Sequence, residues 1–230
     1  MNIEKQRVVV LGGSSGIGYA TAQAAARAGA EVVIASRSPE RAAADLGVKG
    51  FAVDLNGGAD GLFAELGEFD HLVYTAGEPL TLMPIAGLDL DRARQFFGLR
   101  YFGALNAVHA AVPHLRPGGS ITLTTGTASQ RSSAGWALGA SICGAIEGLT
   151  RALAVELAPI RVNAVRPGVT RSPMWGEGSE TEQLYADVSA GLPLGRVGEV
   201  ADVADAYLYL IGQPFTTGTI LTVDGGALVA

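Results

Sequence analysis

The stretch from Arg7 to Gly18, RVVVLGGSSGIG, constrains this chain more than any other segment. Val8, Val9 and Val10 make a short β-branched run that reads as a buried strand. The run ends at glycines spaced Gly12-x-x-x-Gly16-x-Gly18, and Tyr19–Ala28 beyond them is alanine-rich and free of proline, as a helix requires. A strand, a glycine turn and a helix start in that order build a phosphate cradle. Gly12 allows the tight turn, and Gly16 lets backbone amides approach a pyrophosphate with no Cβ in the way. Gly18 lets the helix pack against the sheet, its N-terminal dipole facing the anion. Ser14, Ser15 and Ile17 complete the turn as candidate contacts.

Further strand-like runs lie at Glu31–Ser36, Lys49–Val53, His71–Tyr74, Ser120–Thr125, Ile160–Arg166 and Thr219–Val223. Alanine- and leucine-rich segments separate them: Pro39–Leu46, Ala59–Leu66, Leu90–Leu115, Ala134–Ala158 and Val200–Ile211. This alternation predicts right-handed βαβ units, hence a Rossmann-type doubly wound α/β fold with a parallel sheet and helices on both faces. No Pro-, Ser- or charge-rich linker divides the chain, so residues 1–230 read as a single domain. The least regular stretch, Pro167–Val197, follows the C-terminal end of a strand, where ligands bind in such sheets. It reads as a substrate lid.

With 48% hydrophobic and 17% charged residues, the chain can bury a full core. A net charge of −6 argues against nucleic acid or an anionic membrane as the main partner. Met1-Asn2-Ile3-Glu4-Lys5 leads straight into the first strand, which leaves no room for a signal peptide, and no membrane-length apolar run is expected. Cys143 is the single cysteine, so no internal disulfide forms and a reducing cytoplasm is the expected location.

The chain resembles the short-chain dehydrogenase/reductase family over nearly its whole length. Gly12-x-x-x-Gly16-Ile17-Gly18 matches that family's cofactor turn, and Asp54-Leu55 is similar to the pair that reads the adenine ring. Tyr74-Thr75-Ala76-Gly77 stands where the family carries Asn-Asn-Ala-Gly, with Ala76-Gly77 retained. The run from Gly148 to Leu157 resembles the second half of the active-site helix. In Arg161–Gly168 the Pro167-Gly168 pair would line the nicotinamide pocket, and Val223-Asp224-Gly225-Gly226 fits the family's close. The resemblance implies a nicotinamide cofactor and a homodimer or homotetramer formed through helices 90–115 and 134–158.

Cofactor choice has a physical basis. An acidic residue at the end of the second strand binds the ribose diol of NAD and repels a 2′-phosphate. Here that strand end is Ser36-Arg37-Ser38, and Arg37 offers a planar, permanently charged fork suited to phosphate. NADP(H) is therefore expected to be preferred, with NAD(H) left open.

The resemblance fails at the family's catalytic Asn, Ser, Tyr and Lys. Counting along the motifs, those positions fall on Arg100, on or beside Gly126, on Gly139 and on Cys143. The chain's two lysines, Lys5 and Lys49, lie far upstream, and no tyrosine lies between Tyr101 and Tyr185, so no shift of register restores a Tyr–Lys pair. A small shift would offer Thr125 or Thr127 as the hydroxyl. Loss of general acid–base help costs about 10²–10⁴-fold in rate.

Three readings stay open. In one, the protein is an NADP-dependent oxidoreductase of the short-chain type, acting on a carbonyl or alcohol substrate with non-standard catalytic residues. Arg100 would polarise a carbonyl or hold a carboxylate, and Tyr74 or Tyr101 would supply the proton. In another, the chain keeps the nucleotide without the reaction, as an NADP(H)-binding sensor or partner subunit. In the last, Gly139, Cys143 and Gly144 open a cavity for a different ligand, with Trp136 and Trp175 as walls. Met174, Trp175 and Leu184 suggest a partly apolar pocket. Cys143 reads as a small core residue rather than a nucleophile, and His71, His109 and His114 form no metal-ligand pattern.

Overall fold

The computed structural model describes residues 3–79 and 82–230; Met1 and Asn2, the first residues of the expected leaderless start, lie outside the described residues. β1 (Arg7–Leu11) leads through the glycine turn into α1 (Gly16–Arg27). β2 (Glu31–Ser36), α2 (Glu40–Leu46), β3 (Lys49–Ala52), α3 (Asp60–Leu66) and β4 (Phe69–Tyr74) follow. α4 (Leu90–Phe97) continues through a π-helical segment (Gly98–Gly103) into α5 (Ala104–Ala111) and a 3₁₀ turn (Val112–His114). Then come β5 (Leu115–Thr124), α6 (Ala137–Glu156), β6 (Arg161–Pro167) and β7 (Thr170–Arg171). The chain closes with α7 (Ser179–Ala190), β8 (Gly198–Glu199), α8 (Val200–Gly212) and β9 (Ile220–Val223).

Seven strands pair in the order β3-β2-β1-β4-β5-β6-β9, every pairing parallel, while β7 and β8 form a separate two-stranded ribbon. The expected doubly wound sheet is therefore present. Strand alternation explains why it needs helices on both faces. Val9 and Leu11 point into a core shared with Phe63, Leu72, Ile121 and Ile146, while Val8 and Val10 point into the opposite core with Tyr207, Leu210 and Ile211. Strand order reverses at β1, whose neighbours are β2 and β4, and this reversal opens a crevice at the C-terminal ends of the strands.

Some expected elements differ in detail. The single helix expected over Leu90–Leu115 is divided by the π-helical segment, and Leu115 already belongs to β5. Tyr74 accounts for part of this: its buried hydroxyl donates to the Leu99 carbonyl at 2.6 Å, a partner outside the helix. The irregular Pro167–Val197 stretch contains an ordered helix, α7, whose Tyr185 is buried and carries the Arg171 guanidinium 4.3 Å above its ring. Among the described residues, α6 is long and apolar enough to cross a membrane by length and composition, contrary to the expectation that no such run exists. Its leucines, isoleucines, valine and alanines make it apolar, and the helix lies against β6 with Ile142, Ile146 and Leu153 in the core.

Two polar devices brace the sheet. The guanidinium of Arg161, 8% exposed, donates to the carbonyls of Leu210 and Ile211 at 2.6 and 2.7 Å, satisfying the C-terminal end of α8. Buried His71 bonds Ser120 Oγ at 2.8 Å and Gln6 Oε1 at 3.0 Å. Burial, reinforced by the Arg161 charge, lowers its pKa to about 4.

Candidate functional site

At the C-terminal ends of the strands lies a cavity of about 760 Å³. Its wall includes Gly12, Ser14, Ser15, Gly16, Ile17 and Gly18 from the first turn, and Ser36 and Arg37 from the end of β2. Asp54, Leu55, Ala76, Gly77, Pro167 and Gly168 complete the set expected from the sequence, so all fourteen of those positions share one space. Among the candidates for chemistry, Arg100 and Tyr74 also line it. Tyr101 does not: its ring packs edge-on against Phe97 and Phe102 at 6.4 and 5.2 Å, beside the core.

The glycine turn has the geometry its spacing implies. Gly12 has φ +85°, and a Cβ there would stand 2.6 Å from the Ala76 nitrogen. A Cβ on Gly18 would meet the Gly12 carbonyl oxygen at 2.3 Å and Thr75 Oγ1 at 2.4 Å, so α1 packs on the sheet only with glycine at this place. Gly16 differs. It has φ +54°, yet a Cβ would reach nothing closer than Ser172 Cβ at 3.7 Å, so this side of the turn faces open cavity. The turn ends on the first turn of α1, whose free backbone N–H groups suit an anion.

At the end of β2, Ser36 Oγ is buried and has no hydrogen-bond partner among the described residues, and Arg37 beside it is exposed. A buried unpaired hydroxyl next to a free guanidinium fits a ligand phosphate or sugar that satisfies both. Asp54 is used partly within its own loop, accepting from Asn56 N at 3.1 Å.

At the other end of the cavity stand the residues counted onto the family's catalytic positions. Gly126, Gly139, Cys143 and Arg100 all line the wall. A Cβ on Gly126 would stand 3.3 Å from Cys143 Sγ, so positions 126 and 143 face each other. Burial pushes the Cys143 thiol above its usual range, partly offset by Thr125 and Arg100, which leaves it a poor nucleophile at neutral pH. Arg100, 19% exposed, donates through Nη2 to the Glu78 carbonyl and has Nε 3.5 Å from Glu78 Oε2, with its charge 4.7 Å above the Phe96 ring. Burial works against the Arg100 charge and Glu78 supports it. Arg100 Nε and Glu78 Oε2 are both buried and make no proper hydrogen bond among the described residues.

Tyr74 is 3% exposed, its hydroxyl is committed to Leu99, and burial together with the nearby Glu78 charge raises its pKa far above the usual value. That combination makes it a filler of space rather than a ready proton donor. Thr125 Oγ1 is likewise engaged, donating to the Cys143 carbonyl at 3.1 Å and Glu147 Oε1 at 3.3 Å, whereas Thr127 lines the cavity.

Sequence reasoning missed two groups. Glu147 lies behind the wall, bonded to Arg166 at 2.8 and 3.0 Å and to Ser129 Oγ at 2.5 Å. Burial alone would raise its carboxyl pKa, but the bonds from Arg166 and Ser129 outweigh it and hold the group ionised. Glu78 is the second; its place one residue after the Ala76-Gly77 pair was the available signal. Of the apolar candidates, Met174, Trp175 and Trp136 line the cavity, whereas Leu184 is not part of its wall. His109 is exposed on α5, and His114 stacks on Phe63 at 6.4 Å. Among the described residues, no three His, Cys, Asp or Glu side chains are grouped to hold a metal ion.

Comparison with known proteins places this geometry among relatives. A family model described as enoyl-(acyl carrier protein) reductase matches residues 12–227. The short-chain dehydrogenase/reductase fsr5 of Gibberella fujikuroi is 34% identical, the match covering 97% of this chain and 95% of the relative. A solved small-chain dehydrogenase in complex with NADPH is 36% identical, with a TM-score of 0.88 over 99% of this chain and all of the other. The MalC reductase/Diels-Alderase of Malbranchea aurantiaca has a TM-score of 0.92 at 28% identity, covering 99% of this chain and 98% of that one.

Proposed function

The chain belongs to the short-chain dehydrogenase/reductase family, and we propose that its cavity binds NADP(H) in preference to NAD(H) and serves an oxidoreductase reaction on a carbonyl or alcohol compound. The observation that carries this reading is the glycine turn: it is closed against side chains at Gly12 and Gly18, open at Gly16, and faces the unpaired Ser36 hydroxyl and Arg37 across one cavity. In the reading, Gly12, Ser14, Ser15, Gly16, Ile17 and Gly18 hold the diphosphate, and Ser36 and Arg37 take the 2′-phosphate. Asp54 and Leu55 take the adenine, Ala76 and Gly77 the adjoining ribose, and Pro167 and Gly168 the nicotinamide end. The bound dinucleotide would supply or accept the hydride. Residues 167–197 act as the lid of a single domain, and the active form is a cytoplasmic homodimer or homotetramer. Support for pairing comes from Leu90, Phe102 and Val155, exposed by 61%, 58% and 81% on the helices expected to meet.

The family positions for Ser, Tyr and Lys carry Gly126, Gly139 and Cys143, so the reaction does not run through a Tyr–Lys proton donor. Arg100 is the polar group left at that end. Its guanidinium, steadied by Glu78 and the Phe96 ring, orients and polarises a substrate oxygen, while Thr127 or solvent handles the proton. The enoyl reductase description of the matching family model gives no substrate, because the tyrosine spacing of those enzymes is missing as well.

A second reading is favoured by the same vacancies. The chain keeps the nucleotide as a sensor or partner subunit, or has exchanged hydride chemistry for another reaction. The Malbranchea relative is described as both reductase and Diels-Alderase, and a cycloaddition forms carbon–carbon bonds without a proton donor. The test is calorimetric titration of the wild type and Arg37→Asp with NADPH and NADH, followed by turnover on a carbonyl panel. Micromolar binding with NADPH preferred, reversed by Arg37→Asp, supports the cofactor reading, and equal affinities in the wild type would sink it. Binding without turnover on any carbonyl selects the second reading.

A further inference from the structure

Trp136 and Trp175, the two tryptophans of the chain, stand together on the cavity wall with ring centroids 6.2 Å apart and planes tilted by 51°. They come from different elements. Trp136 precedes α6, and Trp175 ends the 3₁₀ turn Pro173–Trp175. The backbone of that turn is pinned, since Trp175 O accepts from Thr181 Oγ1 at 3.1 Å and Trp175 N donates to Ser172 O at 3.3 Å. The indole ring has no such anchor among the described residues, for Trp175 Nε1 is buried and finds no hydrogen-bond partner among them. Indole nitrogen is a donor only, and when buried it ordinarily finds an acceptor. Gly139 lies one turn after Trp136, and a Cβ there would already sit 3.5 Å from Trp136 Cε3, so any longer side chain would run along that ring. Glycine keeps the aromatic surface bare.

We infer that the Trp136–Trp175 pair selects a flat, π-rich carbonyl compound, held by ring contact with both indoles and by a hydrogen bond to the carbonyl oxygen from Trp175 Nε1, which the unanchored indole turns to present. The bare face at Gly139 supplies the space, the tilted rings supply the contact, and the orphaned N–H supplies the polar specificity. The inference deepens the oxidoreductase reading, and it rests on that reading only in taking the bound carbonyl as the reacting group.

Three probes on one bicyclic carbon skeleton separate these elements: 1-tetralone is flat with a carbonyl, tetralin is flat without one, and 1-decalone has the carbonyl on a saturated, puckered frame. Each is titrated into the nucleotide-free protein by calorimetry and by quenching of the two tryptophans. The expected order is 1-tetralone tightest, with tetralin weaker by about 2–10-fold, the range of one neutral hydrogen bond, and 1-decalone weaker as well. Trp175→Phe keeps a flat but smaller ring and removes the N–H; the lost ring area weakens both flat probes alike, so the tetralone-to-tetralin ratio should come close to one. Equal binding of tetralone and tetralin by the wild type, or of tetralone and decalone, overturns the inference, as does an unchanged ratio in Trp175→Phe or no binding of any probe. The wild-type ratios decide the matter even if the variant does not fold. Because no nucleotide is present, a failure of NADPH to bind overturns the cofactor reading alone.

Discussion

Gly16 and Gly18, just over half a helical turn apart, do different work, and alanine substitution should separate them. At Gly16 the added methyl meets open space, 3.7 Å from its nearest neighbour, so the fold pays chiefly for a left-handed backbone at φ +54°. That cost is about 1–2 kcal/mol for a residue with a Cβ. At Gly18 no left-handed backbone is involved, but the methyl would lie 2.3 Å from the Gly12 carbonyl oxygen. Backbone atoms cannot swing aside, so the overpacking cost belongs at the upper end of about 1–3 kcal/mol. With about 2–4 °C of Tm per kcal/mol for a chain of this size, Gly16→Ala should lower Tm by a few degrees and Gly18→Ala by more. Ligand affinity should behave in the opposite way. The Gly16 methyl occupies the face where the diphosphate is proposed to lie, so NADPH binding should weaken by at least about tenfold, equivalent to about 1.4 kcal/mol. Gly18→Ala, measured well below its Tm, should lose less. Urea denaturation and calorimetric titration on the same preparations give both numbers. A Gly16→Ala variant that binds NADPH like the wild type would refute the placement of the diphosphate, and equal stability of Gly18→Ala and wild type would refute the packing argument.

Other consequences are open to direct measurement. Glu147→Ala strands the Arg166 guanidinium, 6% exposed, without its carboxylate and should cost about 3–5 kcal/mol in urea denaturation; adding Arg166→Met should recover part of that loss. For His71, the folded pKa of about 4 lies below the unfolded value of 6.5, so the unfolded chain binds the extra proton between them. Its stabilisation is complete above pH 6.5 and lost as pH falls toward 4, by on the order of 3 kcal/mol, and His71→Gln should flatten the stability profile between pH 7.5 and 5. Gly139→Tyr combined with Cys143→Lys should raise reduction by NADPH of a small aliphatic ketone, which needs no room on the Trp136 ring, about 10²-fold or more over the wild type. A folded double variant no faster than the wild type would speak against the alignment of α6.

The end of the cavity proposed to take the nucleotide was legible in sequence because several of its signals are local. A valine run, glycines at fixed spacing and an arginine at a strand end each state their geometry within a few residues; the eight positions read in this way share one cavity with the six that the family resemblance implied. The chemical end depends on contacts across the fold. Glu147 and Arg166 are 19 residues apart and look like ordinary surface charges until α6 and β6 bring them together. Tyr74 and Tyr101 were equivalent candidates in sequence, and only the Leu99 carbonyl and the Phe97–Phe102 packing distinguish their surroundings. Helix α7 was hidden in the Pro167–Val197 stretch by flanking glycines and prolines, although its own residues carry no breaker. The interruption between α4 and α5 runs from Gly98 to Gly103, and two glycines inside a helical pattern do not tell a π-helical turn from a weakened α-helix.

That interruption also gives chain length a role alongside chain chemistry. A turn bonded i→i+5 takes in one residue more than its neighbours, and a single surplus residue rotates everything beyond it by about 100° around the helix axis. Phe96 before the segment and Ala104, Ala107 and Ala111 after it all face the core, with Arg100 on the cavity wall between them. Removing one residue from positions 98–103 while keeping Arg100 would preserve every functional group and let the helix run on without a break. The two ends could then no longer both present their apolar faces to the sheet. The aim of the guanidinium is thus set by a count of residues, and a deletion would disarm it where a substitution nearby would not.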